Sequence, residues 1–167
     1  INIGTTLPFS LQGQNLNIGY STSDPQSLLN IINDTSGIVP NTDYGFELSF
    51  LRLMKDQSNV YSNSIKTAYQ YPYQDTIAYS TDQLAQQLKI VARLINGGLK
   101  TPVYIVKHPF SFDSHEFQVN TGSKQTGKHA DNLKILSDAI FAFQQDLLRL
   151  NKAEIVAGMT FSEFGRR

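Results

Sequence analysis

From residue 80 to the end of this 167-residue chain, apolar residues fall into four blocks, alternately with the period of a helix and that of a buried strand. Leu84, Leu88, Val91 and Ile95 share one helical stripe, opened by Ser80 with Gln83 as a capping-box pair and closed by Gly97-Gly98. Pro102 then introduces a strand predicted over residues 103–107, whose unbroken apolar centre suits a sheet covered on both faces. A long polar loop, residues 108–128, follows. Leu133, Leu136, Ile140, Phe143 and Leu147 mark a long helix, and residues 155–161 read as a second buried strand. Helix, strand, loop, helix, strand implies a right-handed crossover between parallel strands. The expected fold is therefore α/β, a three-layer sandwich with a mainly parallel sheet.

The first 79 residues are less regular. Residues 1–20 alternate short apolar groups with Gly, Asn and Gln, which suggests irregular β structure with turns at Gly4, Gly13 and Gly19. Asp24-Pro25 places a cap and a first-turn proline before Leu28, Leu29, Ile31 and Ile32, predicting a short helix. With Asn41 or Thr42 as N-cap, Phe46, Phe50, Leu53, Met54 and Tyr61 then recur on one face of a helix that Ile65, Ala68 and Tyr69 extend. Residues 69–79, rich in tyrosine, interrupt it and read as an aromatic loop packed over the core, with a sugar or peptide site as the alternative. The whole is expected to be one partial α/β domain, with an irregular and helical part at 1–79 and the core at 80–167.

Fourteen basic residues balance fourteen acidic ones, which removes the electrostatic footprint of a nucleic-acid binder or a polybasic membrane module. No apolar run is long enough for a spanning helix. The absence of cysteine excludes disulfides, thiolate nucleophiles and Cys-based zinc sites, leaving His108, His115, His129 and carboxylates as ligands for any transition metal. Because Ile1 is not a methionine and the chain stops just after an apolar run, it reads as a piece of something longer.

In open parallel sheets, ligands bind beyond the carboxyl ends of the strands, where loops and helix N-termini converge. Both expected strands end in polar clusters. After the first, Asp113 and His115 lie two apart, so in an extended segment a hard oxygen and an imidazole address a common point, a pairing suited to a divalent cation. The plain alternative is a surface Asp–His hydrogen bond. Phe110, Phe112 and Phe117 interleave this loop, which predicts that it packs down. His129, at the start of the last helix, is either a surface residue or a further ligand or proton carrier, and His108 reads as structural. After the second strand, Glu163 and Arg166 either pair with each other or present a two-pronged clamp to an anionic oxygen. Ser162 lacks the Gly-x-Ser-x-Gly setting of a nucleophile and reads as a cap.

Val91-Ala92-Arg93-Leu94-Ile95, Phe112-Asp113-Ser114-His115 with Gln118, His129 with the Asp138 to Leu147 helix, and Met159-Thr160-Phe161-Ser162-Glu163-Phe164-Gly165-Arg166-Arg167 together resemble one known family. It is the bacterial domain-of-unknown-function family fifteen-hundred-and-one, and the resemblance covers residues 80–167. It implies an exported protein, periplasmic or secreted, commonly with a twin-arginine signal, and a fold related to the alkaline phosphatase and sulfatase superfamily of metal-dependent phosphate and sulfate ester hydrolases. On that resemblance Asp113 and His115 are the metal-ligand candidates for a divalent ion, Glu163 and Arg166 the catalytic candidates, and Gln118 and His129 further site residues. The chain departs from the family pattern where Phe110-Ser111 replaces a Gly-Gly pair, and a downstream Gly-Thr-Asp-His-Gly segment is expected beyond Arg167. The expected function is a metal-dependent hydrolase acting on a small anionic ester, here with an incomplete site. The alternative is a non-catalytic exported protein of the same fold that binds a saccharide or assembles with a partner.

Overall fold

A computed structural model describes residues 1–4, 19–28, 38–113, 115–116 and 118–162. Three helices and a small parallel sheet make up its mixed α/β architecture. The sheet contains β1 (Asn2–Ile3), β2 (Ser21–Thr22) and β3 (Ile105–Val106) in the order β2-β1-β3. Both pairings are parallel, with Asn2 opposite Ser21 on one side and Ile105 on the other. The central strand is accordingly the most buried: its successive residues Asn2 and Ile3, which face opposite sides of the sheet, are both buried.

The first helix, α1 (Asp43–Gln70), starts where Thr42 Oγ1 accepts the Gly45 N–H at 3.3 Å. α2 (Gln83–Asn96) is capped by Asp82, whose Oδ1 accepts the Ala85 N–H at 3.0 Å. The expected cap, Ser80, instead donates its hydroxyl to Asp82 Oδ2. Burial opposes ionisation of Asp82, yet the Ser80 hydroxyl and the helix N–H groups outweigh it and hold the carboxyl below its usual value. α2 ends in a Schellman motif: Leu99 N–H reaches Leu94 O and Gly98 N–H reaches Ile95 O, each at 3.1 Å, with Gly98 at φ 76. α3 (Lys128–Arg149) closes the same way, with Asn151 at φ 55 and Lys152 N–H on Leu147 O at 2.8 Å.

α2 packs against both α1 and α3 and is the helix that touches β1 and β3. The main core joins Ile1 and Ile3 to Ile65 and Ala68 of α1 and to Val91 and Leu94 of α2. A smaller cluster packs Leu84 and Ala85 against Ala139 of α3. Fully burying an aliphatic side chain contributes about 1.5–3 kcal/mol, so these few contacts carry most of the cohesion between layers.

Four expectations need correction. The helix predicted from Phe46 onward forms, but Phe46, Phe50, Leu53 and Met54 are exposed and burial is confined largely to Ser62, Ile65 and Ala68 near its end. At 1.5 Å per residue α1 is roughly 42 Å long against about 21 Å for α2, so its first half extends past the helix that would cover it. On α3, Leu147 is buried and Leu136 and Phe143 pack against the core as expected, but Leu133 and Ile140 are exposed, and Asn132, Ala139, Ala142 and Asp146 complete the buried face. The strand expected at residues 103–107 is only two residues long, and both are half-buried. Finally, residues 155–161 form no strand: a short 3-10 turn, Ala153–Ile155, leads into irregular chain that pairs with no strand among the described residues, with Ile155, Met159 and Phe161 exposed. A strand requires a ladder partner, and apolar content alone does not supply one. At the start, Asp24 to Ser27 form a turn; the helix expected to follow, and the turn at Gly13, lie outside the described residues.

Candidate functional site

Two polar assemblies stand out, one at the carboxyl end of β3 and one beneath the tyrosine-rich segment. The loop that leaves β3 is tied to the helical layer. Lys107 N–H donates to Gln87 Oε1 on α2 at 3.0 Å, and Asn132 Nδ2 of α3 donates to Ser111 O at 3.1 Å. His108 folds back on its own turn, Nδ1 lying 2.9 Å from Phe110 O and 3.2 Å from Phe110 N. Its Nε2 is buried and has no partner among the described residues. The rings of His108, Phe112 and His129 form a row, with centroids 5.0 Å and then 6.1 Å apart. The aromatic interleaving therefore does pack part of the loop down, through Phe112.

Asp113 and His115 lie on a bent segment and not an extended one, and they meet each other directly, His115 Nε2 2.7 Å from Asp113 Oδ1, as in the plain alternative of a surface Asp–His hydrogen bond. The Ser111 hydroxyl accepts the Asp113 N–H at 3.0 Å and shapes the turn. His115 occupies left-handed backbone at φ 40, uncommon for a residue with a side chain. The pair is open to solvent, the side chains being 82% exposed for His115 and 49% for Asp113. Gln118 and His129 meet through the main chain, His129 N–H donating to Gln118 O at 3.1 Å, and both side chains are exposed. Glu163 and Arg166 lie outside the described residues.

The donor types at 113 and 115 suit a hard or borderline cation, but the two side chains are spent on each other. No group of three or more His, Asp or Glu side chains able to hold a metal occurs among the described residues. Two exposed donors fall short of the four or more that a resident divalent ion takes. By themselves the described residues do not build a metal centre.

The second assembly was not legible as a site. Asp146, on the inner face of α3, is fully buried and accepts hydrogen bonds from the hydroxyls of Tyr73 and Tyr79. Its other oxygen receives Arg149 Nε at 3.0 Å and Nη2 at 2.7 Å. Arg93 stacks 3.9 Å above the Tyr69 ring and donates to Tyr69 O at 3.1 Å, and Arg149 lies 5.2 Å from the Tyr73 ring centre. Lys89 pairs with Asp75, and Asn96 Nδ2 holds Pro72 O at 3.0 Å. Residues 69–79 are thus latched to α2 and α3. Burial pushes the Tyr73 and Tyr79 hydroxyls well above their ordinary pKa, and the Asp146 carboxylate beside them pushes further. Phenols so perturbed stay protonated and donate to Asp146. The only advance sign was an acid at position 146 among apolar helix neighbours.

No helix among the described residues is long and apolar enough to cross a membrane. No family model, no curated protein and no solved structure matches this chain.

Proposed function

We propose that this chain forms the α/β core of an exported, metal-dependent hydrolase of small phosphate or sulfate esters. In this reading it is a relative of family fifteen-hundred-and-one with an alkaline-phosphatase-like, three-layer fold, and it acts in the periplasm or outside the cell. The observation that carries the reading is His115, held in left-handed backbone with its imidazole against Asp113, on the loop that follows the carboxyl end of β3. Left-handed backbone at a residue other than glycine is uncommon and, at the end of a strand, marks a place where a ligand site can form. Strand ends of parallel sheets are where such sites form. The described residues supply half a ligand set, so the proposal requires further donors from outside them, with Glu163 and Arg166 the first in line. A bound divalent cation would supply positive charge to the ester's oxygens. Arg166 is assigned to grip those oxygens in its forked geometry, Glu163 to hold or accept a proton beside them, and Gln118 and His129 to border the site.

The test is metal content. Purified full chain equilibrated with zinc, magnesium or manganese should retain stoichiometric metal by elemental analysis. An Asp113→Ala, His115→Ala variant should lose it, and equal metal in both would remove these residues from the role. A second reading, a non-catalytic exported protein that assembles with a partner, is favoured by the exposed apolar row of Phe46, Phe50, Leu53 and Met54 on α1. Of the two tyrosines a saccharide site would use, Tyr73 has its hydroxyl committed to Asp146, while Tyr71 is exposed. Absence of turnover on any phosphate or sulfate ester, with loss of self-association or partner capture on replacing Phe46 and Phe50 by serine, would decide for assembly.

A further inference from the structure

α2 and α3 each end in a left-handed residue, Gly98 at φ 76 and Asn151 at φ 55, and the chain that follows each of these caps borders one shared groove of about 430 Å³. Leu88, Val91 and Ile95 of α2, Phe143 of α3 and Val106 of β3 make its lining apolar. Two lysines line it as well, Lys100 just past the first cap and Lys152 just past the second. Neither side chain forms an ion pair or a hydrogen bond among the described residues, and no carboxylate is part of the lining. Lysines beyond a helix end offset its dipole, but that role needs no apolar hollow beside them. Tyr104 contributes a hydroxyl whose bond to Leu99 O is long, at 3.5 Å. Burial pushes that phenol up to about 12, so it remains a protonated donor.

We infer that this groove binds a medium-chain carboxylate, its hydrocarbon tail laid on the apolar lining and its head paired with Lys100 and Lys152. The two halves of the site select the two halves of the ligand. A neutral hydrocarbon leaves both ammonium groups without an anion, and a small inorganic anion leaves the apolar lining wet. Two compact point charges on separate connections match the two oxygens of one carboxylate, one each. Size sets the tail: at about 30 Å³ per heavy atom, the share a water takes in the liquid, the groove holds about fourteen heavy atoms, close to the size of decanoate. A mostly apolar hollow with a few polar groups that fix orientation is the usual form of a small-molecule site. The inference rests on the groove and its two lysines, independent of any metal or ester.

Titration calorimetry of the intact chain with hexanoate, octanoate and decanoate tests it. Affinity should rise about two- to fourfold for each added methylene. Methyl resonances of Leu88, Val91 and Ile95 should shift along the same titration. A Lys100→Ala, Lys152→Ala variant should bind decanoate about tenfold more weakly. Its fold should survive, since Lys100 is exposed and Lys152 half-buried, and unchanged circular dichroism will show it. Decanol should bind the parent and the variant alike, and more weakly than decanoate binds the parent. Absence of saturable decanoate binding, affinity that ignores tail length, or equal decanoate affinity in parent and variant overturns the inference. Resonance shifts confined to Phe46, Phe50 and their neighbours on α1 place the tail on the other apolar surface and overturn it equally.

Discussion

Asp146→Ala is expected to destabilise the fold by about 4 kcal/mol. The carboxylate is fully buried and receives four donors, two from Arg149 and one each from Tyr73 and Tyr79. Removing one member of a buried ion pair costs about 3–5 kcal/mol, mostly from the stranded partner charge. The Arg149 side chain keeps 25% of its exposure, so water recovers part of that penalty and the lower end applies. Two half-buried phenols losing their acceptor add about 1 kcal/mol between them, since each can still reach some water. In a domain of this size each kcal/mol moves the melting midpoint by about 2–4 °C, so a drop of roughly 8–16 °C is anticipated. Urea titration monitored by circular dichroism measures the free energy directly. Tyr73→Phe alone should cost about 1 kcal/mol and should cost almost nothing in the Asp146→Ala background, because its partner is already gone. Additive losses, or an Asp146→Ala variant within about 1 kcal/mol of the parent, would refute the latch. Should Asp146→Ala fail to fold, Asp146→Asn in combination with Tyr73→Phe supplies the same cycle.

The perturbed tyrosines predict alkaline sensitivity. Tyr73, Tyr79 and Tyr104 all have raised pKa values in the folded chain, chiefly through burial, Tyr104 to about 12 from an ordinary value of 10.0. A raised folded-state value means the folded protein holds protons that the unfolded chain gives up. Stability is therefore intact below pH 10 and falls as pH climbs above it, which urea midpoints at pH 8, 9, 10 and 11 will show and Tyr73→Phe, Tyr79→Phe will flatten. At the end of α2, Gly97→Ala places a methyl group 1.9 Å from Ala68 O on α1 and is expected to cost about 3 kcal/mol or more. Gly98→Ala meets nothing within 4 Å and pays only for its φ of 76, about 1 kcal/mol. Equal losses by chemical denaturation would show that α1 and α2 do not approach as closely as described.

The helices were readable because their signals are local. A threonine before Asp43, apolar residues at helical spacing, and Gly97-Gly98 each act within a turn or two of chain, and α1, α2 and α3 form where those signals stand. The pairing at Asp113 and His115 was readable for the same reason, since two residues on one short segment need no distant help to meet. The α/β class was legible in the alternation of elements, but the parallel sheet forms between β3 and the two short strands near the start of the chain and not between the two strands that element order had paired.

What periodicity could not decide was which side of each element would find a neighbour. Phe46 and Phe50 carry the pattern of a buried stripe, yet both are exposed, because α2 is too short to reach across from them. The inner face of α3 was set by Asn132, Ala139 and Asp146, because hydrogen bonds to Ser111 and two tyrosines, and the close approach that alanine permits, outweigh the larger apolar area of Leu133 and Ile140. Residues 155–161 have the composition of a strand and lack its partner. Sequence by itself settled what each segment could become, since dihedral preference and capping are properties of neighbours along the chain. Tertiary structure alone settled which surfaces were buried and which polar groups met, because those depend on residues far apart in sequence whose packing no local pattern encodes.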